Sequence, residues 1–479
     1  MTQGTVSRYT ANTRIGRILR RLVWCVGQCR IARALRRRQR YLQQKRRFHA
    51  RMRGLEHSRL LDVSHRPDAN VIFVVIDCLR NSQLSCQGYP RHTTPFLDSL
   101  QCRFTAITAS PWTYPSVATL LTGLYPHNHK AVIAGSTKYL DRFENFRKLG
   151  ERVLTLPEAL FLLGYETYFA SAIWLAHWPV RYRVVPQVYD QLPKAGLILD
   201  NAARWIHKRR HKPFFAYLHL GDLHQPLNPP DSFRSFFGKV KDLPNIKTWD
   251  FERRQQQVAS AREFQEYREN RKLLYDNTLR YVDSVIERFY YRLEAEGIMD
   301  STILVVTADH GEELWDHAEL EAGNFYDPRG ASGVGHGHNV FNEIIEVPLL
   351  MAGPLPSCRT PDHYVSLADV VPTIADVLGI RHSMKFDGRN IFRDHGERPL
   401  LSEACAYGHE KKALIIGRRK VIYSPDDGVL WAFDLADDPK EQDPITDSRT
   451  TSALARELSR ILAGDERARV RRAIGGRHL

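Results

Sequence analysis

Three short apolar runs constrain this 479-residue chain more than any other feature. NVIFVVID (70–77), PFFAYLHL (213–220) and STILVVTAD (301–309) are continuous rather than alternating, and rich in β-branched and aromatic residues. A strand covered on one face alternates apolar with polar, so continuous runs of this length mark strands buried on both faces, as in parallel sheets. Between them lie stretches of helical period: VATLLTGLY (117–125), LTLPEALFLLGY (154–165) and the long segment 270–297. Strands alternating with helices predict an α/β fold, a doubly wound and mostly parallel sheet with helices on both faces. Ligands in such sheets sit beyond the carboxyl ends of the strands, so the residues just after each run are the first site candidates.

The net charge of +15 belongs to one end of the chain. Residues 1–68 hold 18 Lys and Arg against three acids, whereas the remaining 411 residues carry 51 basic and 51 acidic side chains. This divides the sequence into a basic N-terminal arm (1–68), a neutral α/β domain (69–396), a small C-terminal α+β subdomain (397–462) and a basic tail (463–479). In the subdomain, RRKVIYS and GVLWAFDL flank the turn residues PDDG as paired strands, and SALARELSRILAG follows as a helix.

Within the arm, Ile15, Ile18, Leu19, Leu22, Val26 and Cys29 recur at helical spacing among arginines. That is the pattern of a cationic helix on an anionic membrane surface, which makes residues 1–60 the candidate segment for such a partner; a solvated tail is the equal alternative. Nucleic acid ranks behind both, because the basic run RRRQRYLQQKRR (36–47) has no recognisable module beside it. No apolar run approaches the roughly 20 residues that span a bilayer, and LVWCVG (22–27) is too short for a signal peptide. Seven cysteines, odd in number and without CxxC spacing, point to reduced thiols and a cytoplasmic protein, peripheral at a membrane if the arm binds lipid.

The ends of the runs carry metal-compatible groups. Asp77 closes the first, Asp222 and His224 follow the second in GDLHQP, and Asp309 and His310 close the third. Carboxylate with imidazole suits zinc or manganese, with calcium or magnesium as the harder alternatives. Farther on, GASGVGHGHNV places His336 and His338 in a glycine-rich loop where backbone can approach a ligand closely. In SPWTYPSVATLLTG, Pro115 suits the first turn of a helix, and Thr113 stands where either a cap or an anion-facing hydroxyl belongs.

In order and spacing, NVIFVVID, GYPRHTTPFLDSL, TYPSVATLLTGLYPHNH, LHLGDLHQP, TADHGEE and GHGHNVFNEIIEVPLLMAGP resemble the sulfatase-like branch of the alkaline phosphatase superfamily, over about 70–379. The resemblance implies a covalent hydroxyl nucleophile at Thr113. It also implies one divalent cation held by Asp77, Asp309, His310 and Thr113, with His224 and one or both of His336 and His338 contacting the transferring group or leaving oxygen. The substrate it implies is a small-molecule, glycan-linked or lipid-linked phosphate or sulfate ester.

Departures from the family pattern bear on the chemistry. Formylglycine-dependent sulfatases carry CxPSR, whereas this chain reads Thr113, Tyr114, Pro115, Ser116, Val117. Cys78 follows Asp77 where sulfatases carry a second aspartate, and FASAIWLAH (169–177) holds no counterpart of their Lys/His segment. A threonine nucleophile is similar to the lipoteichoic acid synthases and phosphoethanolamine transferases, so phosphate-ester hydrolysis or transfer is the first expectation. A sulfatase using unmodified threonine, and a catalytically silent ligand- or membrane-binding protein, are its rivals.

Overall fold

Each of the three apolar runs is a central strand of one sheet. The computed structural model describes residues 39, 42–55, 60–62, 64, 67–133, 145–177, 186–187, 192–241, 261–330, 332–358, 363–394, 396–445, 448–462, 467 and 470–471. Among them, ten strands precede residue 370: β1 (Asn70–Ile76), β2 (Cys102–Ile107), β3 (Glu166–Ser171), β4 (Pro186–Gln187), β5 (Phe214–Leu220), β6 (Thr302–Thr307), β7 (Glu313–Leu314), β8 (Val334–Gly335), β9 (Glu346–Ala352) and β10 (Val365–Ser366). β7 and β8 form a separate antiparallel pair, and the other eight order as β10-β2-β9-β6-β1-β5-β3-β4.

β1 lies between β5 and β6 and runs parallel to both, with Val71 opposite Phe215 on one side and Ile303 on the other. Every residue of these three strands is buried, as continuous apolar runs require. β9 is the antiparallel member, paired with β2 and β6. The expected doubly wound, mostly parallel sheet is therefore present.

The helices follow their sequence signals. α1 (Thr113–Thr122) ends at Gly123 with φ 70°, and a Cβ there would meet a Phe386 ring carbon at 2.9 Å. After α2 (Pro126–His129), α3 (Leu156–Leu162) opens with a capping box between Thr155 and Glu158. α4 (Ala195–His207) precedes β5 in sequence, and α5 (Ala261–Ala295), after it, is a single helix of 35 residues. Tyr267, Leu274, Leu279, Val282, Ile286, Phe289 and Leu293 form its buried stripe, at the spacing that keeps one face of a helix on the core.

The cysteine expectation is overturned at one pair. Cys102 on β2 and Cys358 beyond β9 form a disulfide, with Cα atoms 5.6 Å apart. They lie 256 residues apart in sequence, so only the β2–β9 pairing brings them together. Cys78, Cys86 and Cys405 are free thiols. The inference from reduced thiols to a cytoplasmic protein gains nothing from this pair.

Two units, residues 1–56 and 57–479, are compact in themselves. In the first, residues 42–55 are helical; the amphipathic pattern at 15–29 lies outside the described residues. No helix among the described residues is long and apolar enough to cross a membrane.

The C-terminal segment forms an antiparallel sheet of β11 (Leu400–Ser402), β12 (Lys412–Ile416), β13 (Arg419–Ser424) and β14 (Val429–Asp434). The strands foreseen around PDDG are β13 and β14; α6 (Val370–Val377) precedes this sheet in sequence and α7 (Ser448–Ile461) follows it. Glu403, just past β11, fastens this sheet to α2: the His127 amide donates to its Oε1 (2.9 Å), His127 Nδ1 lies 2.7 Å from the same oxygen, and Lys412 Nζ donates to Oε2 (2.7 Å).

Burial opposes ionisation of Glu403, but Lys412 and His127 overcome it and hold the carboxyl well below the usual carboxylate range. A depressed carboxyl lends stability that is complete above about pH 4.3, its unfolded value, and drains away as pH falls through the folded one. Glu403→Gln is therefore expected to cost about 3 kcal/mol at neutral pH, because buried Lys412 loses the nearer of the two carboxylates it faces, Glu410 Oε1 standing farther off at 3.4 Å, and to flatten the acid limb of the stability curve. Urea melts between pH 3 and 7 measure both effects.

Candidate active site

The carboxyl ends of β1, β5 and β6 converge on the N-terminus of α1. Asp77 follows β1, and its amide donates to Leu220 O at the end of β5 (3.0 Å). Asp309 and His310 follow β6, and the hydroxyls of Ser116 and Thr108 donate to Asp309 O at 2.5 and 2.6 Å, locking the turn. Gly311 allows that turn to pack, since a Cβ there would lie 2.0 Å from Glu343 O.

Thr113 is not a cap. Trp112 occupies the N-cap position, without a side-chain capping bond, and Thr113 is the first residue of α1. Its Oγ1 lies 3.1 Å from His310 Nε2 and 3.4 Å from Asp77 Oδ2. Asp77, Thr113, Asp309 and His310 thus meet as the resemblance implied, all four buried.

The residues present fit a divalent cation. Donor atoms of Asp77, Asp309 and His310 lie within 4.8 Å of one another. His310 Nδ1 donates to Gly311 O (2.8 Å), which fixes the tautomer and leaves the Nε2 lone pair facing the cluster. Asp309 Oδ2 is buried without a hydrogen-bond partner, 3.4 Å from His310 Nε2, an orphan acceptor of the kind a cation satisfies. Burial and the neighbouring Asp77 carboxylate push Asp309 up to about 8. At Asp77 burial acts the same way, yet the hydrogen bond from His219 and the field of His310 hold its carboxyl well below the usual range. Two buried carboxylates facing one centre need a positive charge between them, and a proton on one is the substitute.

His219 was hidden inside an apolar run. It lies on β5 with Tyr217 OH 3.0 Å from its Nδ1 and its Nε2 donating to Asp77 Oδ2 (3.0 Å). The only sequence signal was a lone histidine in an otherwise apolar buried strand. It orients Asp77, so His219→Ala is expected to weaken metal affinity about 10- to 100-fold. Chelator competition checks this, with circular dichroism to show an unchanged fold.

The two histidines of GHGH separate. His336 lines a cavity of about 390 Å³ together with Thr113 and His224, its ring centroid 4.3 Å from His310 and 5.2 Å from His224. His338 faces away from it. Its Nε2 lies 3.2 Å from Glu313 Oε2 and 3.1 Å from Glu321 Oε1, and although burial disfavours the charged ring, those carboxylates push it up to about 10. A role for His338 in catalysis, implied by the resemblance, thus has no geometric support: regular extended backbone would put residues two apart on one side, but Gly337 between them adopts φ 80° and turns the chain. The remaining walls of the cavity are Trp112, Ile173, Trp174, Leu175, Leu192, Ala406 and Tyr407. Apolar side chains from FASAIWLAH therefore stand beside the site.

A buried carboxylate–imidazole cluster at the strand ends of a mostly parallel sheet, with a hydroxyl at a helix N-terminus beside it, defines a hydrolytic enzyme of the alkaline-phosphatase-like α/β class. The model of the Sulfatase family matches residues 69–380, and the chain belongs to that family. Arylsulfatase K of Bos taurus is 24% identical over 464 residues, covering 83% of this chain and 82% of that protein. The phosphonate monoester hydrolase of Agrobacterium radiobacter superposes with a TM-score of 0.58 at 18% identity, covering 86% of this chain and 96% of that one. A protein solved with its substrate D-glucosamine-2-N,6-O-disulfate gives 0.60 at 17% identity, covering 85% and 98%.

Proposed function

We propose that this sulfatase-family hydrolase cleaves an aryl or otherwise apolar sulfate ester, with unmodified Thr113 as nucleophile. The observation that carries the reading is the place of Thr113: it shares one cavity with His224 and His336, and that cavity's other walls are aromatic and aliphatic. An apolar leaving group buries surface there at about 25 cal/mol per Å². That sequence relatives are arylsulfatases supports sulfate over the phosphate ester expected from the sequence.

A divalent cation held by Asp77, Asp309, His310 and Thr113 would supply Lewis-acid polarisation of the ester. Its donor set, two carboxylates with imidazole and hydroxyl, favours zinc or manganese over calcium or magnesium. The protein's own residues do the rest. The Thr113 Oγ–S bond forms as the bond from sulfur to the leaving oxygen breaks, and the proton given up by Thr113 ends on the leaving alcohol by way of His224. His224 Nδ1 donates to Gln225 O (2.8 Å), which leaves Nε2 as the proton-accepting atom. Water then attacks sulfur, the Thr113 ester bond breaks, and sulfate leaves.

A phosphate ester is the second reading, favoured by Thr113 and Val117 in place of the cysteine and arginine of formylglycine enzymes. Here the intermediate is a phosphothreonine, resolved by water or by an acceptor alcohol as in lipoteichoic acid synthases and phosphoethanolamine transferases. A panel of 4-nitrophenyl sulfate, phosphate and phosphonate esters, with a glycan sulfate alongside, decides between them. Higher kcat/KM on the aryl sulfate supports the first reading. Higher kcat/KM on a phosphorus ester replaces it with the second.

A further inference from the structure

We propose that a second divalent cation, of the zinc type, binds beside the first between Cys78, Glu312 and His336, with Asp77 bridging the two ions. The inference rests on the proposed function only for the first ion; it does not depend on which ester is cleaved or on Thr113 as nucleophile.

Cys78 occupies the position after Asp77 where a hard carboxylate stands in sulfatases, and its thiol is fully buried. Its Sγ is 3.0 Å from Asp77 Oδ1 and 3.6 Å from His336 Nδ1. Zinc bonds of about 2.3 Å to sulfur and about 2.0–2.1 Å to nitrogen, set at a tetrahedral angle, separate the two donors by about 3.6 Å. The thiol and the imidazole stand at that edge length, whereas Cys78 Sγ–Asp77 Oδ1 (3.0 Å) and His336 Nδ1–Glu312 Oε2 (2.6 Å) are hydrogen bonds whose protons an entering ion would displace and whose donors it would spread. Donor atoms of Cys78, His310 and His336 all fall within 4.8 Å of one another.

Glu312 is the independent observation. It is 2% exposed, its Oε2 is 2.6 Å from His336 Nδ1, and its Oε1 is buried without a hydrogen-bond partner. An orphaned carboxylate oxygen beside a thiol and an imidazole calls for a cation. Thiolate with imidazole and carboxylate is a borderline-soft set that selects zinc over calcium or magnesium.

The backbone is built to present the thiol. Cys78 adopts φ 62°, a conformation that a residue with a side chain rarely takes. Tyr275 on α5 holds it there, its hydroxyl donating to Cys78 O (2.6 Å) and accepting from Arg80 N (3.2 Å). Asp77 Oδ1, 3.0 Å from Cys78 Sγ and 3.8 Å from His310 Nε2, lies between the two donor sets, an arrangement of the two-metal kind.

Metal analysis of the full chain loaded with zinc and freed of excess tests this. Two zinc per chain are expected in the wild type and in Thr113→Ala, and one in Cys78→Ser and in Glu312→Gln. Cobalt(II)-loaded wild type should show a thiolate-to-metal charge-transfer band that Cys78→Ser lacks. One zinc per chain in the wild type overturns the proposal, even with a thiolate band, since Cys78 would then ligate the first ion. Two zinc per chain in a folded Cys78→Ser overturns it as well, and Glu312→Gln supplies the count if the cysteine variant does not fold. Two ions without turnover on any ester would sink the proposed function and leave this site standing; one ion with turnover would do the reverse.

Discussion

Thr113→Ala is expected to lower kcat by at least about 10⁴-fold on every ester the wild type cleaves, the scale seen when a covalent nucleophile is deleted. The substitution removes one hydroxyl and leaves Asp77, Asp309 and His310 in place, so bound metal and melting temperature should stay close to wild type. Thr113 begins α1 but caps nothing, so no helix-capping energy is lost. Thr113→Ser is expected to restore part of the rate, since the attacking oxygen returns without the methyl group that fixes its rotamer. Single-turnover kinetics with an aryl ester, with metal content measured on the same sample, check the result. Turnover of Thr113→Ala within tenfold of wild type would remove Thr113 from the mechanism.

Asp309→Ala is expected to abolish metal binding at the first site and with it at least about 10³-fold of activity, corresponding to several kcal/mol of charge stabilisation. The reason is geometric: Asp309 Oδ2 is the buried acceptor that no protein group satisfies, and it faces Asp77 and His310 across the cluster. Chelation of the wild type should reproduce the loss of activity and lower stability by about 3–4 kcal/mol at metal concentrations 100 to 1,000 times Kd. Asp309→Ala, having no first-site ion to lose, should show a smaller stability change on chelation. Equilibrium dialysis and denaturant melts with and without chelator separate the two proteins.

Much of the fold was legible in the sequence because its signals are local. β1, β5 and β6 are buried on both faces, and continuous β-branched runs record that directly. Asp77, Thr113, Asp309 and His310 were legible as a set through the resemblance that the ordered motifs carry; taken singly, a strand-end acid reads as a turn former and Thr113 as a cap or an anion-facing hydroxyl. His219 was not legible, because inside an apolar strand a histidine's partner lies on a neighbouring strand, here Asp77 beyond the end of β1. Nor was the Cys102–Cys358 disulfide, which depends on β2 and β9 being neighbours across 256 residues.

By itself, then, the sequence determined the layered α/β architecture, the rim on which the chemistry stands and the residue types available for it. Only the tertiary structure decided which side chains face one another. It turned His336 toward Thr113 and His338 toward Glu313 and Glu321, drew Ala406 and Tyr407 from the C-terminal segment into the cavity wall, and set Cys78 against His336 and Asp77. The physical reason is range. Hydrophobic periodicity is written into consecutive residues, whereas a site is a meeting of side chains tens to hundreds of positions apart, settled by strand order and loop geometry.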